Sequence, residues 1–121
     1  MKRHAISIKH AYDGIIWALR TQPNYRIHFL LSLLAIVGGF LFQISYTEFM
    51  IVISLIGVGL TIETLNTSIE KASDAIDTKW REDLKITKDL AAGAMLFFAV
   101  AATIVAIMIY VPKILLFIHF V

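Results

Sequence analysis

The 121-residue sequence contains no cysteine, only two prolines and six glycines, and few charges, with Asp, Glu, Lys and Arg making up 17% of it. Without cysteine there can be no disulfide framework, no thiol nucleophile and no thiolate metal site, although redox compartment does not follow from that absence. Scarce charge, set against 59% hydrophobic residues and a mean hydropathy of +0.78, excludes a chain that dissolves on its own. There is no glycine-rich phosphate loop, because Gly57 and Gly59 sit inside an apolar run. Met1 to Arg26 lacks a continuous apolar core followed by a small-residue cleavage site, so a cleavable secretory signal is not expected.

What is present reads as one all-α integral membrane domain, residues 1–121. With charges as punctuation, three apolar segments emerge at 27–47, 49–69 and 90–112, the second interrupted only by Glu63. Each approaches the ~20 residues needed to cross a bilayer core. A short first loop around Ser45 to Glu48 makes the first two spans an antiparallel hairpin. Pro112 is expected to end or kink the third span, with Ile114 to Val121 extending it or lying in the interface. Ahead of the spans, residues 1–24 read as an amphipathic surface helix: Ile8, Tyr12, Ile15, Ile16 and Leu19 recur at helical spacing, Trp17 suits a headgroup layer, and Thr21-Gln22-Pro23-Asn24 breaks the helix.

Five Lys or Arg residues precede Ile27 and five more lie between Glu70 and Asp89, whereas the opposite side has only Lys113. The N-terminus and second loop are therefore expected in the cytoplasm and the C-terminus outside. The second loop matches its five cations with six acids, which disfavours nucleic acid as a partner.

The strongest chemical signal is Glu63-Thr-Leu-Asn66-Thr-Ser-Ile-Glu70, followed by Asp74. Offsets of three, seven and eleven residues put these four side chains within roughly 60° of one another on a helix. Ionisable groups at the edge of a span are costly and mark function by default. A helix snorkelling its acids into water accounts for Glu70 and Asp74, but less well for Glu63 and Asn66. Lys88-Asp89 alone would be an ordinary charge pair at a helix start. His28 reads as an interfacial polar residue with no second His at ligand spacing, and Gly38-Gly39 and Ala91-Ala92-Gly93-Ala94 read as helix-packing surfaces.

Taken together, Glu63-x-x-Asn66-x-x-Ile69-Glu70-x-x-x-Asp74 and Lys88-Asp89-x-x-Ala92-Gly93-Ala94 resemble the signature of the prokaryotic diacylglycerol kinase family, which includes undecaprenol kinases. The similarity runs from Ala11-Tyr12-x-Gly14 to the third span, and Asn24-Tyr25-Arg26-Ile27-His28 resembles the Gram-positive-type branch. The resemblance implies a homotrimer with active sites shared between chains near the cytoplasmic interface. It also implies ATP as co-substrate, magnesium as cofactor and a membrane lipid alcohol as acceptor, undecaprenol before diacylglycerol. Position by position, it makes Glu63 the general base, Asn66 a contact near the transferring phosphate, Glu70 a magnesium ligand, Lys88 a contact to the ATP phosphates and Asp89 an organiser of the nucleotide site. Asp74 matches the motif without an assigned role. Gln22 stands where many members carry a second metal-binding glutamate.

The chemistry asks for the same residue types: phosphoryl transfer needs cations on the phosphate oxygens, and a lipid hydroxyl needs a nearby proton acceptor. Two readings from other classes remain. A small multidrug-type transporter uses a membrane Glu but normally wants four spans and a deeper carboxylate, and a holin-like structural protein gives no reason for Glu63, Asn66, Glu70, Lys88 and Asp89 together.

Overall fold

The structure, a computed structural model, describes residues 2–119; Met1, Phe120 and Val121 lie outside the described residues. It consists of four helices: α1 (Lys2–Thr21), α2 (Pro23–Leu41), α3 (Tyr46–Ile76) and α4 (Glu82–His119). The last three are long and apolar enough to cross a membrane, as their hydropathy requires. At about 1.5 Å per residue, α3 and α4 are about 46 and 57 Å long, well beyond the ~30 Å hydrocarbon core. Their ends therefore stand outside the apolar layer, and α3 carries its polar stripe to such an end.

The break between α1 and α2 narrows to one extended residue, Gln22 (φ −108°, ψ 110°). Pro23 starts α2, where its fixed φ suits the first helical position and its missing N–H costs nothing. On α1, Ile8, Tyr12 and Ile15 remain exposed, forming the face that a headgroup layer would cover.

The first turn lies at 42–45, earlier than the expected loop around Ser45 to Glu48, so the segment 27–47 includes a helix end. The Ile44 N–H reaches Gly39 O at 3.0 Å and the Gln43 N–H reaches Phe40 O at 3.3 Å, closing α2 with a Schellman motif. Gln43 takes the left-handed conformation (φ 51°) in which glycine is usual. A capping box then opens α3: Ser45 Oγ accepts from Glu48 N at 3.2 Å, and Glu48 Oε2 accepts from Ser45 N at 2.6 Å. Glu48 also pairs with Lys113 at 3.5 Å, tying this turn to α4. Pro112 does not end α4, which runs on to His119; neighbouring groups in a membrane helix can compensate for the single lost N–H.

α3 packs between α2 and α4. Val52 and Ile109 join Ile44 from the turn in a small buried cluster, flanked by Ala35, Phe49 and Tyr110. Near this end α2 and α4 also meet directly, where Tyr110 Oη donates to Ala35 O at 2.5 Å and the ring of Phe117 stands edge-on to that of Phe42, 5.7 Å between centroids. Large apolar side chains such as Leu30, Leu34, Ile53, Phe97 and Met108 face outward on all three long helices, as a lipid-facing surface demands.

Candidate active site

At the other end of the bundle the buried groups change character. Glu63, Asn66, Thr67 and Ser73 on α3 are all buried, and Glu63 is only 3% exposed. Helical spacing puts the carboxylates and the amide on one face. Tyr25, one turn into α2, fixes the register by which α2 covers that face. Thr64 Oγ1 donates to Leu60 O at 2.7 Å, leaving it to accept from Tyr25 Oη at 3.0 Å. One turn after Tyr25, the Nε2 atom of His28 stands 3.6 Å from Glu63 Oε2. The residue expected to be merely interfacial is thus the ionisable neighbour of the buried acid.

Asn66 is half satisfied. Its Nδ2 donates to Glu70 Oε1 at a long 3.5 Å, while Oδ1 is buried with no hydrogen-bond partner. Buried acceptors are usually paired, so an orphan amide oxygen beside a carboxylate marks a place able to take a donor or a hard cation. Among the described residues no three or more His, Cys, Asp or Glu side chains gather to hold a metal. A magnesium ion would find hard oxygens here on Glu70 and Asn66, completed by phosphate and water. That is how this ion is usually bound.

The start of α4 reaches the same end of the bundle. Lys88 Nζ forms an ion pair with Asp74, fourteen residues earlier on α3, which brings Lys88 to the polar stripe. The hydrogen bond from Lys88 lowers the Asp74 carboxyl below its ordinary value. Asp89 instead pairs with Lys85, one turn back on its own helix. Arg81, the last residue of the connecting loop, grips Asp83 in the first turn of α4 with two hydrogen bonds of 3.1 and 2.6 Å; these lower the Asp83 carboxyl and raise the Arg81 guanidinium. Lys71 Nζ lies 5.3 Å from the Trp17 ring centroid, so α1 is held against the water end of α3. Gln22, at the α1–α2 break, donates from Nε2 to Thr21 Oγ1 at 3.1 Å.

A cavity of about 310 Å³ lies between α2, α3 and α4, lined by residues that include His28, Val52, Gly59, Phe98, Ala102 and Tyr110. It begins at His28, the neighbour of the buried acid, and extends into the apolar part of the bundle.

Fold and site together define a polytopic helical membrane protein whose acids, amide and lysine converge at one end of three spans. The sequence profile described as prokaryotic diacylglycerol kinase matches residues 9–110. The chain is 38% identical over 113 residues to the undecaprenol kinase of Bacillus subtilis, an alignment covering 93% of this chain and 92% of that protein. It is 32% identical over 111 residues to a Synechocystis diacylglycerol kinase, covering 91% of this chain but 63% of that longer relative. The chain belongs to the prokaryotic diacylglycerol kinase family.

Proposed function

We propose that this protein transfers the γ-phosphate of ATP to undecaprenol, using magnesium, in the bacterial cytoplasmic membrane. Family membership makes it a lipid kinase with ATP as co-substrate. The observation that carries the mechanism is the burial of Glu63 at the junction between an apolar span and the polar stripe. That location suits a group that meets a lipid hydroxyl rather than a soluble one.

In this reading Glu63 accepts the hydroxyl proton as the lipid oxygen attacks the γ-phosphorus and the bond to the β-phosphate bridging oxygen breaks, releasing ADP. Lys88, exchanging Asp74 for phosphate oxygens, neutralises charge on the nucleotide. Asn66 and Glu70 offer oxygens to magnesium, which when bound supplies further charge neutralisation on the phosphates. Asp89 orients the nucleotide end, and Gln22, at the α1–α2 break, would offer its amide oxygen to the metal. The abundance of Lys and Arg before Ile27 and between Glu70 and Asp89 supports a cytoplasmic site, beside ATP. The apolar side chains left exposed on every long helix, together with a partly open polar face, support a homotrimer that shares its sites.

The undecaprenol kinase relative, matched along 92% of its length, favours a polyprenol acceptor; the Synechocystis relative keeps diacylglycerol as the second reading. The test is transfer of radiolabelled phosphate from ATP to each lipid in detergent. Faster labelling of undecaprenol is expected, faster labelling of diacylglycerol would reassign the acceptor, and no labelling of any lipid alcohol by folded protein would overturn the proposal.

A further inference from the structure

A proton acceptor must carry its negative charge before the lipid hydroxyl arrives, yet Glu63 is buried, and a buried carboxylate with nothing facing it neutralises itself instead. Some neighbouring group has to hold it ionised, and the charges around it narrow the choice. Glu70, two turns further along the same face of α3, has the same sign and repels it. On α2 the guanidinium of Arg26 turns back to Arg20 O at 3.0 Å, on α4 Lys88 is taken by Asp74, and Lys71 lies over the Trp17 ring of α1. His28 is the group that faces the acid, with Nε2 3.6 Å from Oε2.

That approach is built into the pairing of α2 with α3. Tyr25 Oη meets Thr64 Oγ1 at 3.0 Å; His28 follows Tyr25 by about one helical turn, and Glu63 is the sequence neighbour of Thr64. One register between the two helices therefore sets both contacts. At 3.6 Å the imidazole stands just beyond hydrogen-bond length. Contacts of this kind are often long before substrate enters a site and tighten when it does. The ring can present an N–H from Nε2 in its neutral form as well as its charged one.

We infer that His28 is a positioning residue for the transfer: its Nε2–H, presented to Glu63 Oε2, keeps the carboxylate ionised and oriented, and leaves the other carboxylate oxygen to take the proton of the lipid hydroxyl. The hydroxyl proton ends on Glu63 and the imidazole proton is not consumed, so His28 is unchanged by each turnover. The inference rests on the reading of Glu63 as general base and deepens it, by naming the group that holds that base ready.

The experiment measures kcat, and KM for ATP and for undecaprenol, in detergent for His28→Leu, His28→Gln, Glu63→Gln and the double variant His28→Leu/Glu63→Gln. His28→Leu keeps comparable bulk and removes the donor. It is expected to lower kcat about 10- to 100-fold, the scale of displacing a catalytic group by about 1 Å, with both KM values and the melting temperature near wild type. His28→Gln, whose amide nitrogen reaches about as far as Nε2, should recover most of that loss. In the Glu63→Gln background His28→Leu should cost nothing more, because the group it serves is gone. Should His28→Leu fail to fold, His28→Met makes the same comparison. Wild-type kcat in His28→Leu, an equal loss in both backgrounds, or a raised KM for undecaprenol at unchanged kcat would overturn the positioning role while leaving Glu63 as the base. Near-normal turnover of Glu63→Gln would overturn the base reading, and this inference with it.

Discussion

His28 Nε2 and Glu63 Oε2 stand 3.6 Å apart, one on the first spanning helix and one on the second, at the point where an apolar cavity meets the polar end of the bundle. The pair joins two environments that a lipid kinase must join, because the acceptor arrives through lipid and the phosphate donor through water. It also bears on the energetics: a carboxylate that is 3% exposed needs a hydrogen-bonding or ionic neighbour, and the imidazole is placed to be one.

If Glu63 takes the proton, Glu63→Gln should keep the shape of the site and lose the chemistry. The expected fall in turnover is about 100- to 10,000-fold, with ATP affinity largely retained. Near-normal turnover of the purified variant would remove Glu63 from that role.

Glu70 and the orphan Oδ1 of Asn66 share one face of α3. Removing one negative charge there, by Glu70→Gln, should raise the magnesium concentration needed for half-maximal activity on the order of tenfold, a change worth about 1.4 kcal/mol. A magnesium titration superimposable on wild type would count against metal binding at this carboxylate.

Lys88 and Glu63 belong to different helices, and the family resemblance implies sites completed by neighbouring chains. Mixing inactive Glu63→Gln subunits with inactive Lys88→Met subunits, under conditions where subunit exchange is demonstrated, is expected to restore part of the activity. Exchange without recovery would mean that each chain supplies both residues to its own site.

Gly59 allows a close approach of α3 and α4. A β-carbon at this position would meet Phe98 Cζ at 2.4 Å, so Gly59→Ala forces the ring to move and should cost about 1–3 kcal/mol by overpacking. Thermal unfolding in detergent reads the effect. The double variant Gly59→Ala/Phe98→Leu should recover much of the loss; a single variant as stable as wild type would show that the ring rotates away without cost.

Much of this architecture is legible in the sequence, for identifiable reasons. Spans follow from uninterrupted hydropathy, and the alignment of Glu63, Asn66 and Glu70 follows from helical offsets alone, so neither needs knowledge of tertiary packing. The turn at 42–45 is harder to place, because Gln43 occupies a left-handed position that glycine would have advertised. The Ser45–Glu48 capping box was nevertheless a readable start signal for α3. The approach of His28 to Glu63 is invisible in one dimension, since it depends on the register between α2 and α3 that Tyr25 and Thr64 hold in space. The same is true of Lys88, whose partner Asp74 is set by how the loop at 77–81 returns the chain.

The last prediction concerns Gln22, where many relatives of this type of sequence are expected to carry a glutamate. Its backbone is extended at the α1–α2 break and its amide nitrogen donates to Thr21, which leaves the side-chain carbonyl as the oxygen it could offer to a cation. An amide oxygen can coordinate magnesium but neutralises none of its charge. Metal binding without nucleotide should accordingly be weak, with Glu70 and the ATP phosphates carrying most of the coordination. Gln22→Glu adds the missing charge without changing side-chain length. Lipid phosphorylation at saturating ATP should then reach half-maximal rate at a lower magnesium concentration than in wild type, with the melting temperature unchanged. An unaltered magnesium requirement in a folded variant would place residue 22 outside the coordination sphere, and Pro23, which fixes the first turn of α2, would be the structural reason that the side chain cannot swing towards Glu70.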